Sequence, residues 1–154
     1  MKQTKIIEHT KIKMPFRADM ALASLMHKKG CTSRNEKYGS VGDQFDIVLD
    51  MKDVIEMKVI DGPAGFKSYQ ELQEAKMSGT FELYKVERLP LSFVAEHLFW
   101  LEGFPSTEAF IAGWDELHQR LLYEDEPGKL VWTHFYYRAG AHEVAVTETD
   151  AGYV

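Results

Sequence analysis

LMHKKGCTSRNEKYGSVGD, residues 25 to 43, is the stretch on which the reading of this chain turns. The residues leading into it, Met20 to Met26, carry Leu22, Leu25 and Met26 on one face at three-and-four spacing, so they predict a helix. Lys29 falls four after Leu25 and three after Met26 and continues that apolar face. A lysine so placed is partly desolvated, which favours the neutral amine. Gly30 stands where a left-handed helix stop is common. Cys31 to Asn35 predicts a short strand, with Thr32 and Arg34 on one side and Cys31 and Ser33 on the other. One amine, one hydroxyl and one guanidinium are therefore expected near one helix-to-strand corner. A solvated basic loop after an ordinary helix stop fits the same residues.

Lys29-x-x-Thr32-x-Arg34, followed by the pair Gly42-Asp43, resembles the ASCH domain, a relative of the PUA RNA-binding domain. A second stretch, PLSFVAEHLFWLEGFPSTEAFIAGWDELH at residues 90 to 118, is similar to the family's segment with a Glu-Gly pair and a helix ending in a Trp-containing turn. The resemblance runs from Lys11 to Tyr137, within a single domain spanning 1–154. It implies an α+β protein, a small PUA-like β-barrel of about five or six strands. Helices near 18–29, 92–102 and 107–122 are expected to cover its flank and mouth. A fold of this kind does not by itself imply one activity.

Length and composition agree with one soluble domain. A chain of 154 residues can bury a real core. Hydrophobic residues at 45% and charged residues at 27% are ordinary for a globular protein. No apolar run reaches the roughly 18 residues of a membrane span. The basic N-terminus, MKQTKIIEHTKIK, lacks an apolar signal core. The single cysteine, Cys31, excludes an internal disulfide and suits a reducing compartment, so a cytoplasmic location is expected. Residues 1 to 40 carry nine Lys/Arg against three acids, and since the net charge is −6 the remainder is strongly acidic. That balance argues against wholesale coating of a nucleic-acid backbone. It leaves room for a local basic patch holding a nucleotide or short RNA.

Along the chain, Ile6 to Phe16 predicts a first strand with Pro15 at its end. Gln44 to Leu49 and Val54 to Ile60 predict strands. Asp61-Gly62-Pro63-Ala64-Gly65 is a breaker. Ser68 to Met77 predicts a short helix, and Thr80 to Arg88 a strand. Ser92 is a candidate N-cap for a helix through Leu101 stopped by Gly103. Ser106 caps the next helix, whose apolar face is Phe110, Ile111, Trp114, Leu117 and Leu121. Lys129 to Arg138 predicts a final strand, and the tail from 141 to 154 an edge strand or a loose end.

The chemistry that residue types support is limited. The six histidines are scattered without metal-ligand spacing, so no metal or cofactor is expected. There is no phosphate loop and no thiol-catalysis signature. Within the ASCH resemblance, some members are amidohydrolases that remove the acyl group from N4-acetylcytidine. Their Lys-x-x-Thr pair and glutamate match Lys29, Thr32 and Glu102. The resemblance implies lysine as proton acceptor, threonine as nucleophile and glutamate as proton donor. A threonine hydroxyl needs such a base, and a carboxyl group can protonate a leaving amine. Arg34, Tyr38 and Lys28 are the expected substrate contacts. The competing expectation is a non-catalytic RNA- or nucleotide-binding module with Lys28, Lys29, Arg34 and Lys37 at one mouth. A protein-interaction module is the third.

Overall fold

The computed structural model describes residues 11–58, 65–118 and 128–139. Among these residues four antiparallel strands form one sheet, in the order β1-β4-β3-β2: β1 Cys31–Arg34, β2 Gln44–Asp50, β3 Lys76–Pro90 and β4 Leu130–Arg138. Among the described residues five helices flank it: α1 Ala18–Leu25, α2 Met51–Glu56, α3 Tyr69–Glu74, α4 Leu91–His97 and α5 Thr107–His118. The fold is α+β, as expected, with the sheet curled into a half-barrel. β3 makes the curl. It pairs with β2 from Lys76 to Glu82 and with β4 from Phe81 to Pro90, and its register shifts between Leu83 and Lys85. Such an irregularity bends a strand and increases its twist.

Alternation decides the burial of the sheet. In β2, Phe45, Ile47 and Leu49 are buried while Asp46, Val48 and Asp50 are exposed, the period-two pattern of a half-buried strand. Phe45 stacks on Phe81 with centroids 5.6 Å apart, and Tyr136 meets both rings edge-on. Leu22, Leu25, Met51, Val54 and Leu72 close this main core from α1, α2 and α3. A second cluster joins Leu91, Val94 and Ala95 of α4 to Phe110 and Trp114 of α5 over Val131. The two cores lie apart, and the functional groups gather beside the short edge strand β1.

Several boundaries differ from expectation. Val54–Ile60 does not begin a strand: Met51 and Val54, three apart, are the buried face of α2. The segment ends in a left-handed residue, Lys58, with φ 59°, and Val59 and Ile60 lie outside the described residues. Ser68 does cap α3, accepting from the Glu71 amide at 3.1 Å. That helix stops at Glu74, because Ala75 is extended and Met77 is already paired with Leu49. α4 starts at Leu91 with Pro90 as N-cap, so Ser92 caps nothing, and the helix ends at His97. Ser106 Oγ accepts from the Ala109 amide at 3.0 Å, as a cap for α5. Of the expected first strand, Lys11 forms an isolated bridge with Gln44; Ile6 to Thr10 lie outside the described residues, as do Leu121 and the tail. No helix among the described residues is long and apolar enough to cross a membrane.

Candidate active site

α1 delivers Lys29 by a different turn from the one expected. The left-handed residue is His27, with φ 62°, and Gly30 is not in that conformation. The Lys28 amide bonds the Ala23 carbonyl at 2.7 Å and the His27 amide bonds Ser24 at 3.1 Å. This paired pattern closes a helix by reversing the chain. Lys29 therefore lies in the connection after the helix, and it is only 5% exposed. Gly30 is needed for closeness: a Cβ there would stand 3.0 Å from a Leu101 methyl carbon. The Gly30 amide donates to the Leu101 carbonyl at 2.8 Å, which pins the turn after α4 against the start of β1.

That turn carries Glu102, 3% exposed. Lys29 Nζ donates to the Glu102 backbone carbonyl at 2.7 Å and to its carboxylate Oε1 at 3.2 Å. The other carboxylate oxygen, Oε2, accepts from Ser33 Oγ at 2.6 Å, and Ser33 Oγ meets Thr133 Oγ1 at 2.8 Å. Gly103, with φ 96°, lies beside the Lys29 stem; a Cβ there would sit 3.4 Å from Lys29 Cβ. So the Glu-Gly pair supplies a carboxylate and a backbone that lets the lysine pass. A buried ion pair is tolerated when hydrogen bonds satisfy it, and this one makes three, two from Lys29 Nζ to Glu102 and one from Ser33 Oγ to Glu102 Oε2.

The cluster opens on a cavity of about 350 Å³ lined by the polar Lys29, Thr32, Ser33, Arg34 and Glu102 and by the aromatic Phe16, Phe104, Phe110 and Trp114. Its size and mixture of apolar walls with a few polar groups are those of a small-molecule site. Thr32 is 4% exposed and lines this cavity. It lies opposite His134 on β4, whereas Ser33 lies opposite Thr133, so neighbouring hydroxyls leave β1 on opposite faces. No direct hydrogen bond joins Thr32 Oγ1 to Lys29 among the described ones. The structure thus brings Lys29 and Glu102 into contact and places Thr32 at the same cavity. Ser33, read from the strand pattern as pointing away from the reacting groups, is the hydroxyl in contact with the carboxylate. On the strand it shares a side with Cys31, and the glutamate approaches that side, which no local sequence signal announces.

The remaining expected contacts separate. Arg34 lines the cavity, donates to the Pro15 carbonyl at 2.6 Å and holds its guanidinium carbon 5.3 Å from the Phe16 ring centre. Its Nε is buried without a partner, and burial lowers the pKa of the guanidinium. Tyr38 does not line the Lys29 cavity; it lines an adjoining cavity with Arg34 and a third, of about 710 Å³, with Ile12 and Asp46. Its amide donates to His134 Nε2 at 3.0 Å. Lys28 is exposed and does not line the Lys29 cavity. Burial pushes the Cys31 thiol well up, with Glu102 adding to it, and burial likewise raises the Tyr136 phenol. Neither is a ready nucleophile. Among the described residues no group of three or more His, Cys, Asp and Glu side chains is placed to hold a metal.

No protein-family model matches the chain, and no curated protein matches it significantly. Among solved structures it is similar to a protein from Enterococcus faecalis V583 described under the family model DUF984. That match has 13% identity and a TM-score of 0.44, and covers 88% of this chain and 82% of the other. It is also similar to an ASCH domain from Lactobacillus crispatus JV V101, at 11% identity and a TM-score of 0.45, over 84% of this chain and 79% of that one. An ASCH domain thus stands among the solved structures similar to this chain over most of its length.

Proposed function

We propose that the cavity beside β1 is a hydrolytic site for a small acylated or otherwise modified nucleoside, of the N4-acylcytidine type. The observation that carries the reading is the buried Lys29–Glu102 pair, which lines an aromatic-walled cavity together with Thr32. Aromatic walls suit a planar base. Thr32 attacks the acyl carbon, and its proton goes to Lys29. The carbon–nitrogen bond breaks, and the leaving amine takes a proton from Glu102. Water then hydrolyses the threonyl ester, freeing the acid and Thr32. A proton passed from Lys29 to Glu102 across their 3.2 Å contact readies both partners at once. Ser33 acts on Glu102 as a positioning residue, because its hydroxyl is already engaged on both sides. Arg34 orients the base.

The test is turnover against a panel of acylated nucleosides, with mass spectrometry of the quenched protein. Loss of both turnover and an acyl adduct in Thr32→Ala, with the fold retained, is the expected result. A Thr32→Ala variant that turns over at the parent rate would falsify the nucleophile assignment.

One observation favours the second reading, a nucleotide- or RNA-binding module without catalysis. Every polar atom of the Lys29–Glu102–Ser33 cluster already has a protein partner, as in a structural pair. Lys28 and Lys37 are exposed beyond it. That reading expects binding of short RNA that weakens steeply with salt and no hydrolysis of any acylated nucleoside.

A further inference from the structure

A second cavity of about 280 Å³ adjoins the first and shares Ser33, Arg34 and Leu117 with it; Asn35, Glu36, Tyr38 and His118 complete its lining. The first cavity is aromatic, and this one is polar. Its hydrogen-bond directions can be worked out. His118 Nδ1 lies 2.8 Å from the Trp114 carbonyl, and a carbonyl can only accept, so Nδ1 carries the proton. Nε2 then accepts from Asn35 Nδ2 at 3.1 Å. The amide nitrogen of Asn35 is thereby fixed toward His118, and Oδ1 is its other end, with no donor among the described residues. The His118 ring is itself held on Trp114, with centroids 4.2 Å apart. Glu36 is exposed on the same lining. Among the described residues no cation pairs with its carboxylate. The one cation that lines this cavity, Arg34, donates from Nη2 to the Pro15 carbonyl and lies over the Phe16 and Tyr38 rings, with its Nε left without a partner.

We propose that this second cavity is a sugar-hydroxyl subsite, in which Asn35 Oδ1 and the Glu36 carboxylate accept hydrogen bonds from the hydroxyls of a riboside whose base occupies the aromatic cavity. The inference rests on the nucleoside reading and adds to it. Two acceptors lining one cavity suit a ligand that brings two donors, which a ribose diol does and a phosphate does not. The Glu36 charge also opposes a phosphate, so the site selects nucleosides against their phosphates by repulsion as well as by fit. His118 acts through Asn35, as a positioning residue: it decides which end of the amide faces the cavity.

The experiment is calorimetric binding of cytosine, cytidine and cytidine 5′-monophosphate to the full chain, with the Asn35→Ala, Glu36→Gln and His118→Phe variants. Cytidine should bind at least about tenfold more tightly than cytosine, the worth of one good hydrogen bond to a fixed acceptor. Asn35→Ala should remove about that factor for cytidine and leave cytosine unchanged. The monophosphate should bind more weakly than cytidine, and Glu36→Gln should narrow that gap. His118→Phe, which keeps the stacked ring but not the hydrogen bond, should weaken cytidine alone. Equal binding of cytosine and cytidine, or variants that weaken both alike, would overturn the subsite while leaving the base-binding cavity standing. Ribosides that bind through Asn35 without any acyl turnover would sustain the subsite and remove the hydrolase. If no base or riboside binds, both readings fall.

Discussion

Ser33 Oγ stands 2.6 Å from Glu102 Oε2, sixty-nine residues away in sequence. Of the hydroxyls on β1, this is the one that holds the buried carboxylate, and the neighbouring Thr32 hydroxyl is left to the cavity. The two can be separated by mutation. Ser33→Ala leaves a buried carboxylate oxygen and Thr133 each short of a partner, so stability should fall by about 1–3 kcal/mol. Thr32→Ala should cost less stability and more turnover. Urea unfolding and initial rates on the same two variants decide it, and the opposite ranking in both would exchange the roles of the two hydroxyls.

The ion pair makes a stronger demand. Lys29 and Glu102 side chains are 2% and 4% exposed. Removing one partner leaves a buried charge alone, which costs about 3–5 kcal/mol. Lys29→Met and Glu102→Leu should each destabilise by that order. The double variant should lose clearly less than the sum, because it strands no charge. Additive losses in a double-mutant cycle would mean that the two groups are not coupled.

Cys31 is fully buried and its thiol pKa is raised by burial. The thiolate is the reactive form. A thiol reagent should therefore modify the native protein very slowly at pH 8 and the urea-unfolded protein at once. Rapid modification of the native chain would contradict the packing of β1 against the Leu101 turn.

His134 gives a pH signature. Burial lowers its pKa in the folded protein, while the unfolded chain takes up the proton at about pH 6.5. Between the folded value and that point the unfolded state binds more protons, so stability rises with pH through this window. It is complete above about 6.5 and is lost as the pH falls. Protonation at Nε2 would also displace the Tyr38 amide that donates to it. Unfolding free energies at pH 7.5 and pH 5 should differ more in the parent than in His134→Gln. An identical pH dependence in the two proteins would remove His134 from the account.

Gly103→Ala should destabilise by about 1 kcal/mol or more, since alanine tolerates φ 96° poorly. Its Cβ would also crowd the Lys29 stem at 3.4 Å. A thermal melt measures the first effect, and the KM and kcat of the variant report whether the lysine has moved.

Periodicity carried what is regular in this chain. The alternation of Phe45, Ile47 and Leu49, the cap at Ser106 and the extent of β4 were legible because local pattern and burial agree there. Lys29 and Glu102 were singled out through the ASCH resemblance alone, and the structure shows both buried and in contact. What local pattern hid depends on distant contacts. Val54 and Ile55 favour strands in isolation, but the face shared by Met51 and Val54 packs as a helix onto the main core. The helix stop fell on His27 rather than Gly30 because the glycine was required elsewhere, against Leu101. The role of Ser33 depended on which face of β1 the Leu101–Gly103 turn approaches, and nothing near Ser33 in sequence says so.

The pinning of Gly30 to Leu101 has a kinetic consequence. The site is stitched from three stretches of chain, with Lys29 to Glu102 separated by 73 residues and Ser33 to Thr133 by 100. Contacts so far apart in sequence form only after most loop-closure entropy has been spent, and they slow folding. The cavity should therefore be among the last features to mature, after α1 and the β2–β3 pair. In a refolding experiment, protection of the β2–β3 amides from exchange should precede protection at Gly30 and Cys31.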